Sequence, residues 1–274
     1  MKRRILVLLG VASCLGAIYA QGEIDTQQRV FFRNEWSLAF MLNSNGFGGN
    51  YRYGQRINAA DKRLYELDFA YMKDPKENKS NTRILNSTAR YVEGKKNLAV
   101  NFRVGYGKQH EIYRRHDLGG VAIRRFHNYG AAVVLLKPIY YELGRYIGEP
   151  RLESIPPEKY NPEWTNDIYI IGRASFFKGF GEISAVPGVF GKFGFNFEFG
   201  TQDRIIHALE VGLIAEGFLQ EIKIMDFTPP SNMQGKPAQN RQFFLTVFLS
   251  YRFGRIIDPY EVRQRRERSR EISY

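Results

Sequence analysis

Histidine is the side chain best suited to moving protons near neutral pH, and the chain has four: His110, His116, His127 and His207. They are dispersed, and none shows the spacing of a metal-ligating pair. His116 beside Asp117 supplies two thirds of a serine–histidine–acid set, yet no serine stands two residues from any histidine. The single cysteine, Cys14, lies in an apolar stretch near the N-terminus. Phosphate-binding loops and internal repeats are absent from the sequence. The expectation is a non-enzymatic chain without metal or cofactor.

A second group of residues has chemical consequence through its spacing. Arg52, Arg56, Glu66, Asp68, Arg103, Lys192, Glu198, Glu210, Glu216 and Arg252 all occupy one side of alternating apolar–polar runs. Cations and carboxylates are balanced in this set. If they share an interior they must pair, because a lone buried charge is very costly.

The elements that must position them are strands, since alternation of period two is the strand signature. Trp36, Leu38, Phe40 and Leu42 alternate with Ser37, Ala39, Met41 and Asn43. After Asn43-Ser44-Asn45-Gly46, a hairpin signal, Phe47 to Arg56 form a second run. A third sets Tyr65, Leu67, Phe69 and Tyr71 against Glu66, Asp68 and Ala70, and a fourth covers Leu98 to Gly107. The fifth, around Val121 to Tyr141, is blurred because Ala131 to Leu136 is apolar on both faces. Lys192–Phe199, Ala208–Glu216 and Phe243–Phe253 complete the pattern.

The 274 residues carry a formal net charge of +12, with 21 Phe, 17 Tyr and 26 Gly. A mean hydropathy of −0.39 would suggest a soluble protein, but a membrane barrel averages its two faces to a similar value. A soluble β-sandwich alternates too. Here one face is uniformly large and apolar, whereas the other mixes charge with glycine. That composition suits a narrow barrel, in which small residues make room for long polar ones. The expected fold is an all-β, antiparallel, up-and-down transmembrane barrel of about eight strands with long extracellular loops. Short connections fall near Asn58–Lys62, His110–Gly119 and Gly200–Arg204, and long ones at Asp74–Lys96, Arg145–Glu182 and Asp226–Asn240. Trp36, Tyr53, Tyr65, Tyr106, Tyr251 and Phe253 gather at the short-turn rim, where an aromatic girdle belongs.

The N-terminus reads as an export signal: Lys2, Arg3 and Arg4, an apolar stretch from Ile5 to Gly16, and a small-residue exit at Ala20. Val11-Ala12-Ser13-Cys14 also resembles a lipoprotein processing site, although the apolar run continues past it. The organisation expected is a signal peptide over 1–20, a periplasmic segment over 21–33, a barrel over 34–254 and a basic periplasmic tail over 255–274.

Phe248-Leu249-Ser250-Tyr251-Arg252-Phe253 resembles the terminal-strand signal of outer-membrane proteins. With Asn45-Gly46-Phe47-Gly48, Leu136-Lys137-Pro138 and Phe176-Phe177-Lys178-Gly179-Phe180-Gly181-Glu182, it makes the chain similar to small outer-membrane barrels of OmpA/OmpX-type architecture, and more closely to a group found in Bacteroidota. The resemblance covers about residues 30–254. It implies fold and outer-membrane location and carries over no catalytic residues.

A barrel of about eight strands has an interior just wide enough for side chains to fill it, so a salt-bridged plug is expected in place of a channel. The function expected is a structural or accessory barrel that holds envelope partners through loops or tail, surrounded by outer-membrane lipid. A small channel and a lipid-modifying enzyme are the alternatives. Arg263, Arg265, Arg266, Arg268 and Arg270 would make the tail a docking segment for an acidic partner. The basic residues elsewhere are too scattered for a nucleic-acid site, and Lys76–Lys96 is basic enough to meet lipopolysaccharide phosphates. Asp167–Phe180 reads either as a short amphipathic helix across the mouth or as a strand extension.

Overall fold

In water a strand with one wholly apolar face must bury it or close into a ring that gives it to lipid. The computed structural model describes residues 34–77, 79–81, 89–115, 120–147, 152–161, 168–200, 204–226 and 240–257. The expected signal segment with Cys14, the His116–Asp117 pair and the tail arginines lie outside the described residues.

Thirteen strands form among the described residues: β1 (Asn34–Asn43), β2 (Gly46–Arg56), β3 (Asp61–Met72), β4 (Lys79–Asn81), β5 (Arg90–Val92), β6 (Asn97–Tyr113), β7 (Ala122–Pro138), β8 (Tyr140–Tyr146), β9 (Leu152–Lys159), β10 (Ile168–Arg173), β11 (Ser184–Phe199), β12 (Ile205–Ile222) and β13 (Arg241–Ile257). Eight of them close a barrel in the order β1-β13-β12-β11-β7-β6-β3-β2. Every neighbouring pair is antiparallel, and the ring shuts where β1 meets β13, from Asn34↔Ile257 to Asn43↔Phe248. Closure leaves no unpaired edge, the condition for spanning a bilayer with strands. Seven of the eight expected runs each lie within one barrel strand; the fifth, expected around Val121 to Tyr141, is divided, since β7 ends at Pro138 and Tyr141 belongs to β8 of a separate sheet.

Strand ends define two rims. The described termini and the connections after β2, β6 and β11 share the turn rim. The β1–β2 hairpin and the connections after β3, β7 and β12 share the loop rim. Gly46 at the hairpin has φ 151°, and a Cβ there would stand 1.9 Å from the Tyr71 carbonyl oxygen. Glycine is therefore the residue that lets β2 leave the turn in register with β3.

The outward face is apolar along the wall: Phe40 is 55% exposed, Leu67 53% and Val104 60%. Near the turn rim Tyr53, Tyr65, Tyr106 and Tyr129 stand side by side in register. Their ring centroids are 6.5, 5.6 and 6.1 Å apart in turn. Tyr129 extends the expected girdle onto β7.

The loop rim carries two smaller sheets, a β4–β5 ribbon and a three-stranded sheet ordered β10-β8-β9. Buried Ile139, Tyr141 and Leu143 give the second its own apolar centre, against Tyr91, Ile155 and Ile168. Of the two readings of Asp167–Phe180, the strand is the one observed: β10, followed by a turn and a short 3-10 helix at Phe180–Glu182. The β-branched Ile168, Ile170 and Ile171 favour that outcome.

Candidate functional site: a charged interior under an apolar stopper

Alternation sends one residue in two into the barrel, and the interior is layered along its axis. At the turn rim Lys62 pairs with Glu35. Arg124 pairs with Glu198 and lies 3.1 Å from Glu111. Arg56 donates to the Asn58 and Ala59 carbonyl oxygens of its own turn, at 3.2 and 2.8 Å. Arg56 and Glu198 are therefore apart from the central charge cluster, at a different height in the barrel.

The other eight expected residues meet at mid-height. Glu210, with no exposed surface, accepts from Arg52 Nη1 at 2.6 Å, Arg252 Nε at 3.0 Å, Asn196 Nδ2 at 2.8 Å and Ser250 Oγ at 3.2 Å. Arg52 Nε also donates to Glu66. Lys192 Nζ lies 3.0 Å from Glu66 and 3.4 Å from Asp68. Arg103 Nε is 2.6 Å from Glu216, and its Nη1 is 3.6 Å from Asp68. Four cations thus face four carboxylates, all buried. Asn50, Asn101, Ser37 and Ser250 complete the web. The sequence reading passed over them and over Glu35, Lys62 and Glu111, although all share the inward parity of their strands.

Phe126 packs against this cluster from β7. Arg52 Cζ stands 4.7 Å from its ring centroid and Lys192 Nζ 6.0 Å from it, the geometry of cation–π attraction. The ring fits because Gly194 has no side chain; a Cβ there would come within 2.9 Å of it.

Toward the loop rim the interior turns apolar. Met41, Met72, Val134, Ile214 and Phe248 belong to one buried cluster. Ala132, Val134 and Leu136 of β7 contribute to it, which is why that strand is apolar on both faces. Two members, Ile224 and Met225, come from the segment after β12. The Lys96 and Asn97 amides donate to the Ile224 carbonyl oxygen at 3.0 and 3.1 Å, and the Asp226 amide to the Gly94 carbonyl oxygen at 2.7 Å. These segments adjoin β6 and β12, which β7 and β11 separate in the ring, so the strap crosses the mouth. Lys96 and Asp226 pair at 2.6 Å on its outer side.

The described histidines stand apart from all this. His110 Nδ1 is 2.7 Å from Asp61 Oδ1, His207 Nδ1 is 2.8 Å from the Tyr251 hydroxyl, and His127 is exposed on the outer face of β7. Among the described residues no group of three or more His, Cys, Asp or Glu side chains could hold a metal ion.

No protein-family model matches the sequence, and no curated protein is similar to it. Two solved structures match it at low similarity. Neisserial surface protein A matches with a TM-score of 0.33 and 10% identity, over 82% of this chain and 96% of that one. Ail, the attachment invasion locus protein of Yersinia pestis, solved with the heparin analogue sucrose octasulfate, matches with a TM-score of 0.38 and 7% identity, over 83% and 100%. The closed ladder, the apolar wall and the polar interior decide the architecture. It is that of the small outer-membrane barrels.

At the loop rim the architecture carries a knuckle. Phe176, Phe177 and Phe180 lie within 5.4–6.2 Å of one another and are 49%, 80% and 46% exposed. Lys137, on the outer face of β7, sits 4.9 and 5.0 Å from the Phe176 and Phe180 rings and donates to the Lys178 carbonyl oxygen. Behind the rings, hydrogen bonds from Lys159 and then Tyr140 hold the Glu182 carboxyl below the usual carboxylate range, while the same contact raises the Lys159 ammonium.

Proposed function

We propose that the chain is an outer-membrane accessory barrel: non-conducting, non-enzymatic, and serving to hold an envelope partner at its loop rim or through its tail. The observation that carries this reading is the filled interior, with a paired charge layer below an apolar stopper and a strap across the mouth. A barrel so filled has no lumen to give a solute. The apolar wall and its row of tyrosines support residence in a bilayer, and the export signal read in the sequence supports the outer membrane as its address. The Phe176–Phe180 knuckle overhangs the wall at the loop rim, where aromatic rings and a flanking Lys178 suit a headgroup boundary. The basic tail, Arg263 to Arg270, belongs to this proposal as a second docking segment.

Reconstituted in planar bilayers, the protein is expected to remain silent. In parallel, native membranes are solubilised and the full chain is compared with one stopped after Ile257, the end of β13. A partner lost with the tail makes the tail the hook, and a partner kept without it assigns the loop rim. Steady single-channel openings would overturn the closed reading and favour the channel.

A second reading draws on buried polar atoms without hydrogen-bond partners: both Asn128 amide atoms, Asn101 Oδ1, Glu216 Oε2 and Thr246 Oγ1. These line the β6–β7 and β12–β13 sides of the interior and would suit a file of water. Osmotic shrinkage of proteoliposomes separates that reading from the first: faster water flow than in empty vesicles favours the file, and an unchanged rate favours the filled interior.

A further inference from the structure

Above the stopper, the β4–β5 ribbon and the β10-β8-β9 sheet flank a cleft of about 310 Å3, at the small end of the range for small-molecule sites. Four cations line it, Lys79, Arg90, Lys95 and Arg173, against one carboxylate, Glu77. That carboxylate is committed: Lys95 Nζ lies 2.7 Å from Glu77 and 2.6 Å from the Tyr71 hydroxyl. Lys79, Arg90 and Arg173 have no ion-pair partner among the described residues. Three like charges around one small cleft repel one another, and an anionic group placed between them relieves that repulsion.

The rest of the lining is aromatic. Tyr91 and Tyr141 meet edge to face, with centroids 6.4 Å apart and planes at 86°, beside Ile139. Two rings so crossed give no parallel slot for a flat base. Tyr141 is buried, while half-buried Tyr91, held against it, offers its accessible side to a puckered ring, as an aromatic does to the apolar side of a pyranose. Burial, with Glu93 nearby, holds the Tyr91 phenol above its usual range, so its hydroxyl stays a neutral donor and acceptor.

We infer that this cleft binds a saccharide carrying phosphate or sulfate groups, the ring resting on Tyr91 and the anionic groups received by Arg90, Arg173 and Lys79. Guanidinium forks suit tetrahedral oxyanions through paired N–H donors. The proposal goes beyond the accessory role and is independent of whether the barrel conducts: binding can fail while bilayers stay silent, and the reverse. The ligand has two sources with one chemistry, a soluble anionic glycan or the phosphorylated headgroup of a glycolipid in the facing leaflet.

The test is titration calorimetry on the full chain in neutral detergent, with glucose 6-phosphate, glucose 6-sulfate, glucose and inorganic phosphate as probes. Both charged sugars are expected to bind, glucose not measurably, and inorganic phosphate more weakly than the sugar phosphate. Arg90→Ala and Arg173→Ala are each expected to weaken binding about tenfold or more, the loss of one charge-assisted contact. Arg145→Ala, on β8 outside the cleft, should leave binding unchanged. Each variant is first shown to keep the heat-dependent gel shift of a folded barrel. Competition in nanodiscs then separates the sources: weaker sugar-phosphate binding when a phosphorylated glycolipid is present assigns the headgroup, and unchanged binding assigns the soluble glycan. Equal binding of glucose, inorganic phosphate as tight as the sugar phosphate, no binding of either charged sugar, or indifference to both arginine changes would overturn the proposal.

Discussion

Glu210→Ala is expected to lower the unfolding free energy of the barrel by about 3–5 kcal/mol, the usual consequence of removing one partner from a buried ion pair. Glu210 receives both Arg52 and Arg252. Arg52 keeps Glu66, whereas Arg252 has no other carboxylate partner among the described residues and would be left with Ser37 and Asn50 alone. Urea unfolding in bilayers or detergent, followed by gel mobility without boiling, reads the loss. Glu198→Ala is the comparison, because Glu198 is partly exposed and its partner Arg124 retains Glu111; its effect should be clearly smaller. A Glu210→Ala loss below about 1 kcal/mol, the range of solvated pairs, would mean that water already screens the cluster, and the closed interior would fall with it.

Phe126→Ala is expected to cost about 3–5 kcal/mol, the range for truncating a large buried aromatic. The ring has no exposed surface and meets both groups, the apolar cluster at Phe248 and the charge cluster at Arg52. Its proximity to Arg52 adds a sharper expectation. Glu210 and Phe126 both act on that guanidinium, so a double-mutant cycle should show coupling of about 0.5–3 kcal/mol. Strict additivity would show that the ring merely fills space. The Gly194 position offers a check from the other side: Gly194→Ala pushes a methyl against the same ring and should destabilise by overpacking, typically by about 1–3 kcal/mol.

Period-two alternation made the eight barrel strands legible, because a side chain's face follows directly from its parity. Parity says nothing of height. Arg56 and Glu198 point inward as expected, yet the stagger of a closed barrel sets them near the turn rim, away from Glu210. The stopper was hidden for a different reason. Ala132, Val134 and Leu136 made β7 look irregular when they were reporting a second kind of interior, and Ile224 and Met225 reach it from a segment far from Gly94–Asn97 in sequence. The cleft is less legible still, since Arg90 and Arg173 approach only once the ribbon and the second sheet stand on the same rim.

The charge cluster also straddles the place where the two ends of the chain meet. Arg252 belongs to β13, the last strand. It donates to Ser37 of β1 at 3.0 Å and to Asn50 of β2, while Glu210 approaches from β12. The Ser37 and Asn50 contacts do not exist until the first strand lies against the last. A ring left open, or one joined with a strand too many, would take that guanidinium into the membrane with Glu210 but without its Ser37 and Asn50 partners. The buried charges thus make assembly self-checking: they reward only the complete eight-membered cylinder, and the final pairing of β1 with β13 is the step that satisfies them.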